Sequence, residues 1–228
     1  MSAHARYASL LVPEIELSVH ADLLAREGDG YPTYFASAWP AGEALARYLL
    51  DRPEIVRARR VLDFGTGCGI VALAAKLAGA AHVAGVDRDP RAVESLARNA
   101  EALGLSIDAR LGDPLEAPLE LEGFELVLAA DVFYEDARPS EVGAWLRDEA
   151  GRGKRVVVAD PGRFMEPLPG MRALEQIRGL HGPTCTIYEI EASLAEARSR
   201  SARAGARRAR RRARSRARGA QGAQGGSP

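Results

Sequence analysis

The sequence predicts an α/β protein with a Rossmann-like sheet, mostly parallel, and helices on both faces. Three observations carry this expectation. Strand-like and helix-like stretches alternate regularly from Arg60 to Asp160, the pattern that right-handed crossovers of a parallel sheet produce. The apolar run Arg60-Val61-Leu62-Asp63-Phe64 breaks into Gly65-Thr66-Gly67-Cys68-Gly69 and then an alanine-rich stretch, which reads as strand, tight turn, helix. Acids close the first three of these strands, at Asp63, Asp87 and Asp113, on the carboxyl edge where open α/β sheets bind ligands.

Each element has its own signal. Residues 1 to 30 alternate apolar and acidic groups around Leu11 to Leu17, give a short helical pattern from Ala21, and close on Gly28-Asp29-Gly30; they are expected to form an N-terminal extension. Tyr31 to Trp39 is an aromatic cluster ending in Trp-Pro, and it walls a site or covers one end of the sheet. The helix after it places Leu45, Leu49 and Leu50 on one face. Past the glycines, Val71, Leu73, Ala74, Leu77 and Ala78 form a helix that Gly79 caps. His82 to Asp87 is the second strand, and Asp89-Pro90 opens the next helix with an N-cap and a proline at its first position. Ser106 to Leu111 is a third strand with Gly112-Asp113 at its tip. The apolar run Phe124 to Ala130 suits a strand buried on both faces and delivers Asp131-Val132-Phe133-Tyr134 to the same edge. A helix over 139–150 and a strand over 155–160, ending in Asp160-Pro161-Gly162-Arg163, complete the regular part. Beyond it, 174–180 reads as one more helix and 184–190 as an antiparallel strand.

The formal net charge of zero hides a division. Residues 193–228 hold 11 arginines and the single acid Glu196, leaving 20 basic and 30 acidic residues before them. The tail has no apolar period and is expected to be disordered, with a capacity for unspecific phosphate binding. The folded domain is therefore expected over 31–192. Two cysteines in unlike contexts, Cys68 and Cys185, point to a reducing compartment and a cytoplasmic protein. No apolar run is long enough to span a membrane. The four histidines are scattered without ligand spacing, so no metal is expected.

The spacing of the glycines narrows the ligand. A dinucleotide loop needs a third glycine at position 70, which is Ile70, and the pattern here is G-x-G-x-G. Asp63 is expected to point its carboxylate at the mouth of the loop, where it repels a pyrophosphate and attracts a ligand carrying a sulfonium and an ammonium. S-adenosylmethionine is such a ligand. Asp87, about twenty residues past the glycines, stands where a doubly wound sheet places a carboxylate on ribose hydroxyls.

Trp39-Pro40, Asp63-Phe64-Gly65-Thr66-Gly67-Cys68-Gly69, Asp131-Val132-Phe133-Tyr134 and Asp160-Pro161-Gly162-Arg163, in this order, resemble the electron transfer flavoprotein beta-subunit lysine methyltransferase family, one group of the seven-strand S-adenosylmethionine-dependent methyltransferases. The likeness covers about residues 7 to 191. It implies that Asp63, Gly65, Thr66, Gly67 and Gly69 form the cofactor loop, that Asp87 holds the ribose, that Asp113 approaches the adenine amine and that Trp39 packs near the cofactor. Asp131 and Tyr134 are implied as catalytic, facing the acceptor amine. The implied acceptor is a protein lysine, on the electron transfer flavoprotein beta subunit, met by a monomer. A small-molecule N-methyltransferase for a nicotinamide-like amine is the alternative, and a non-catalytic cofactor-binding module with a nucleic-acid-binding tail another. The family continues after position 190 into an apolar antiparallel strand, where this chain gives an arginine-rich run. The last strand of the sheet is therefore expected to be missing, as after a coding frame slip in GC-rich DNA.

Overall fold

The computed structural model describes residues 4–8, 12–25, 33–117, 121–134, 138–163, 170–178 and 182–192. The chain divides into two compact units, Met1–Glu191 and Ala192–Pro228. The second, on which the expectations of disorder and phosphate binding fall, lies outside the described residues apart from Ala192.

Seven strands form one sheet. In chain order they are β3 (Arg60–Phe64), β4 (His82–Asp87), β5 (Asp108–Leu111), β6 (Leu126–Ala130), β7 (Arg155–Asp160), β8 (Met171–Arg178) and β9 (Thr184–Ile190). Their spatial order is β5-β4-β3-β6-β7-β9-β8. Strand order reverses at β3, between β4 and β6, which opens the crevice that parallel sheets use for ligands. Only β9 runs against the others, pairing antiparallel with both β7 and β8.

The pleat sorts the apolar side chains to two faces. Val61, Val83, Leu126, Leu128, Val157 and Ala159 point one way, under α2 (Pro40–Asp51), α3 (Ile70–Leu77) and α4 (Pro90–Ala102). Leu62, Val86, Val127, Ala129, Val156 and Val158 point the other way, against Val142, Leu146 and Ala150 of α5 (Pro139–Gly151). The near-continuous apolar strands are thus buried on both sides. Asp89 caps α4 as its sequence predicts, accepting from the Arg91 amide at 2.8 Å with Pro90 in the first turn.

The region before the sheet is a two-stranded hairpin, β1 (His4–Ala8) and β2 (Glu16–His20), followed by the short α1 (Ala21–Ala25). Val12, Ile15 and Leu17 enter the core below α2 and α3, and Leu23 packs with Phe35 and Ala92. Asn99 of α4 ties this region to the glycine loop: its Oδ1 accepts from the Ser18 amide at 2.9 Å, and its Nδ2 donates to the Cys68 carbonyl at 3.0 Å.

Two expectations are corrected here. The sheet lacks no strand, because the segment ending at Ile190 already supplies the antiparallel member. Residues 174–178 are strand, not helix. The cause is a bulge between Ala173 and Glu175. Met171 and Ala173 pair with Ile190 and Tyr188, whereas Glu175 and Ile177 pair with Ile187 and Cys185. One extra residue flips the side chains to the opposite face. Leu174 and Ile177 consequently share a face at a spacing of three, which imitates a helical period. Ile187, fully buried in β9, measures what this inner strand contributes: Ile187→Ala should lower stability by about 2–5 kcal/mol, read as a fall in the urea midpoint.

Candidate functional site

The site is built on the turn from β3 to α3. Gly65, Gly67 and Gly69 all adopt positive φ, at 68°, 53° and 90°. Positive φ at alternate residues turns successive amides inward and makes the turn tight. The Gly65 and Thr66 amides donate to the Val86 carbonyl at 2.9 and 3.1 Å, and the Gly67 amide donates to Oδ2 of Asp87 at 3.0 Å. The loop is therefore sewn to the end of β4.

Asp63 holds the loop from behind. It shares the pleat face of Val61, so its carboxylate turns toward the helices, is almost wholly buried, and accepts from the Thr66 hydroxyl at 2.6 Å and the Ala72 amide at 3.1 Å. The expectation that it faces the mouth is corrected. Thr66 is committed to Asp63, and Gly69 is packed against Leu96, so neither lines the cleft. Burial pushes the Asp63 carboxyl up to about 7, against the Thr66 and Ala72 hydrogen bonds, with the Asp87 charge adding to the rise.

A cleft of about 290 Å³ opens in front of the loop. Of the residues singled out from sequence, it brings together Trp39, Gly65, Gly67, Asp87, Asp113, Asp131 and Tyr134. Asp87 accepts from Gly67 and, through Oδ1, from the Asp89 amide at 3.0 Å; burial raises its pKa despite these bonds. Asp113 accepts from the Leu115 amide at 2.8 Å and from Arg138 at 2.9 Å. Tyr34 stands edge-on to both Trp39 and Tyr134, with centroids at 5.7 and 5.5 Å, and the Trp39 indole donates to the Tyr34 carbonyl at 2.8 Å. Burial also raises the Tyr134 hydroxyl's pKa, with the Arg88 charge working the other way.

Asp131 occupies the remaining wall. Its φ of 57° is in the left-handed region, which aspartate tolerates better than most residues, and its amide donates to the Ala159 carbonyl at 3.1 Å. Oδ1 accepts from Arg163 Nε at 2.5 Å, while Oδ2 is buried with no hydrogen-bond partner among the described residues. Arg163, Arg88 and Phe64 also line the cleft without having been singled out as site residues from sequence, and so does Tyr34 of the aromatic cluster, which was read only as walling a site or covering the sheet. Tyr34 lay in the aromatic cluster and Arg163 in the Asp-Pro-Gly-Arg segment, but neither position carries a spacing that marks it as a ligand. No group of residues suited to a metal occurs among those described, and no described helix is long and apolar enough to cross a membrane.

The arrangement presents backbone room at Gly67, an acid at the end of each of three strands and an aromatic wall. An extended ligand carrying positive charge, hydroxyls and a flat ring matches these features. The residues thus fit S-adenosylmethionine, with Asp87 and Asp113 spread along the cleft and Gly67 as the place of closest approach.

Comparison with known proteins agrees with the fold. Residues 44–129 match the family model described as Ribosomal protein L11 methyltransferase (PrmA). The Danio rerio electron transfer flavoprotein beta subunit lysine methyltransferase is 40% identical over 131 residues, covering 57% of this chain and 50% of that protein. Its Homo sapiens counterpart is 36% identical over 160 residues, covering 67% and 61%. The chain thus spans between half and two thirds of the length of these relatives. Among solved structures, the T. thermophilus 16S rRNA methyltransferase in complex with AdoMet and guanosine superposes with a TM-score of 0.60 at 22% identity, covering 84% of this chain and 50% of that one. The Pyrococcus abyssi tRNA (uracil-54, C5)-methyltransferase in complex with S-adenosyl-L-homocysteine gives 0.53 at 17% identity, covering 82% and 44%.

Two measurements test the site. A methyl on Gly67 meets nothing within 4 Å, whereas one on Gly69 falls 2.4 Å from Leu96 Cδ1. Gly67→Ala should therefore cost about 1 kcal/mol of stability yet weaken S-adenosylhomocysteine binding in calorimetry, and Gly69→Ala should show the larger loss of stability. For Asp63 the folded pKa lies above the unfolded one, so its contribution is complete below about pH 4 and is lost as pH rises through about 7. Relative to Asp63→Asn, the wild type should lose on the order of 4 kcal/mol across that window, read from paired urea titrations at each pH. By sequence the chain is similar to the electron transfer flavoprotein beta subunit lysine methyltransferases over part of their length, and its fold is the seven-strand sheet on which these solved structures superpose.

Proposed function

We propose that the protein is an S-adenosylmethionine-dependent N-methyltransferase acting on a protein lysine, with the electron transfer flavoprotein beta subunit as the first substrate to test. The observation that carries this reading is Asp131, buried on the cleft wall with one carboxylate oxygen lacking a hydrogen-bond partner among the described residues. Tyr34, Trp39 and Tyr134 stand on the same cleft.

When bound, S-adenosylmethionine supplies a methyl group on a cationic sulfur. The chain's part is to bring a neutral amine in line with it, since the nitrogen lone pair forms the new N–C bond as the S–C bond breaks. A free lysine amine is almost wholly protonated at pH 7. The aromatic wall desolvates the amine and so disfavours its charged form. Asp131 Oδ2 accepts an N–H from the amine and fixes the direction of its lone pair, and it stabilises the positive charge that develops on nitrogen. Behind the reacting atoms, Asp87 has lone pairs left for ribose hydroxyls beside the Gly67 and Asp89 amides it already holds.

The open rim favours a protein acceptor over a free small molecule. Tyr34 and Trp39 keep 41% and 39% of their surface exposed, so the slot admits a side chain reaching in from a larger body, whereas small-ligand sites enclose most of the ligand. Labelled S-adenosylmethionine incubated with a cell lysate, then with purified electron transfer flavoprotein, should label a protein band that protease pretreatment removes. A protease-resistant small acceptor would instead assign the small-molecule chemistry. Asp131→Ala should abolish turnover while S-adenosylhomocysteine affinity stays within a few-fold. Asp87→Ala should cost at least tenfold in that affinity, in the range of a lost hydrogen bond to a charged group.

A further inference from the structure

We infer that Arg163 is a positioning residue for the acceptor amine: it occupies one oxygen of Asp131, leaves the other as the acceptor for the amine N–H, and offsets the charge that would hold the amine as ammonium. This inference rests on the amine-methylating reading of the cleft.

The guanidinium is anchored from both ends. Its Nε donates to Asp131 Oδ1 at 2.5 Å. Its backbone amide, with that of Gly162, donates to Asp160 Oδ1 at 2.7 Å, and Gly162 makes the turn at a φ of 89°. The ends of two strands, β6 and β7, are thereby joined at the cleft lining by one residue. The pair is asymmetric: the Asp131 side chain is 6% exposed and that of Arg163 is 40% exposed. Arg163 thus holds Oδ1, and Oδ2, on a residue that lines the cleft, is left buried with no hydrogen-bond partner among the described residues.

The charge matters as much as the direction. A bare carboxylate beside an amine raises the amine pKa by about 1–3 units, which removes the neutral nucleophile. A guanidinium keeps its proton at every relevant pH and so offsets Asp131 throughout. The other groups facing this pair do not replace it. Asp160 of β7 is an acid, Tyr34 lies within reach of the guanidinium, and burial pushes the Cys185 thiol of β9, which Asp131, Asp160 and Glu43 of α2 face, up to about 11, leaving it neutral. Among the described residues, Arg163 is the cation that pairs with Asp131.

The test compares wild type, Arg163→Met and Arg163→Lys, each saturated with S-adenosylhomocysteine and each checked for an unchanged thermal midpoint. The first readout needs no turnover: n-butylamine affinity by NMR titration, from pH 7 to beyond the free amine pKa of about 10.4. Arg163→Met should bind n-butylammonium several-fold more tightly at pH 7 and converge on wild type at the alkaline end, and Arg163→Lys should follow wild type. The second readout is the acidic limb of kcat/KM against a methylated lysine substrate, which Arg163→Met should move up by about one pH unit. Affinities that superimpose across the pH range, or a lysine variant that behaves like the methionine one, would overturn the inference. Should wild type label no lysine, the functional reading fails, and the n-butylamine affinities still decide the role of Arg163.

Discussion

Asp63 sits inside the back of the glycine loop, and the cleft takes its shape from that burial. One carboxylate oxygen receives a hydroxyl and a helix amide, and two amides and a third bond to Asp87 secure the loop from the β4 side. These anchors hold the backbone from two sides, and Gly67 lies between them with open space beside it on the cleft. A charged group this deeply enclosed is expensive unless hydrogen-bonded or protonated. The raised carboxyl shows that the bonds only partly offset the burial.

Much of this was legible in the chain. Strands β3 to β7 and helices α2 to α5 follow from apolar runs, glycine and proline punctuation and one clear N-cap, and the acids at Asp87, Asp113 and Asp131 converge as their strand-end positions imply. Asp63 was misjudged in direction for a reason the sequence does contain: in a strand it shares a face with Val61, and Val61 belongs to the side covered by α2 and α3. Reading the pleat one residue further would have turned the carboxylate away from the mouth. The bulge in β8 was not readable, because its effect is to make a strand look like a short helix. Arg163 escaped for a different reason. Its partner is 32 residues away on another strand, and no local spacing records such a meeting.

The cleft is acidic by position and tempered by pairing. Asp113 is held by Arg138, Asp131 by Arg163, and Asp89 by Arg91, whose guanidinium also lies over the Phe35 ring at 5.1 Å. Each pairing fixes a carboxylate's orientation without filling its acceptor capacity. Orientation set in advance spares the site from reorganising when a charged ligand enters. The aromatic edge contacts among Tyr34, Trp39 and Tyr134 do the same for the apolar wall.

Asn99 gives the N-terminal hairpin a meaning that its place in the chain conceals. A single buried amide reads the backbone of β2 with its oxygen and the backbone of the glycine loop with its nitrogen. The two segments stand more than forty residues apart in sequence, yet any shift of the hairpin leaves a polar atom stranded next to the loop. The hairpin therefore behaves as a keystone of the ligand site. A fragment cut at the glycine-rich break near residue 30 would retain every strand of the main sheet and still begin with a loosened loop.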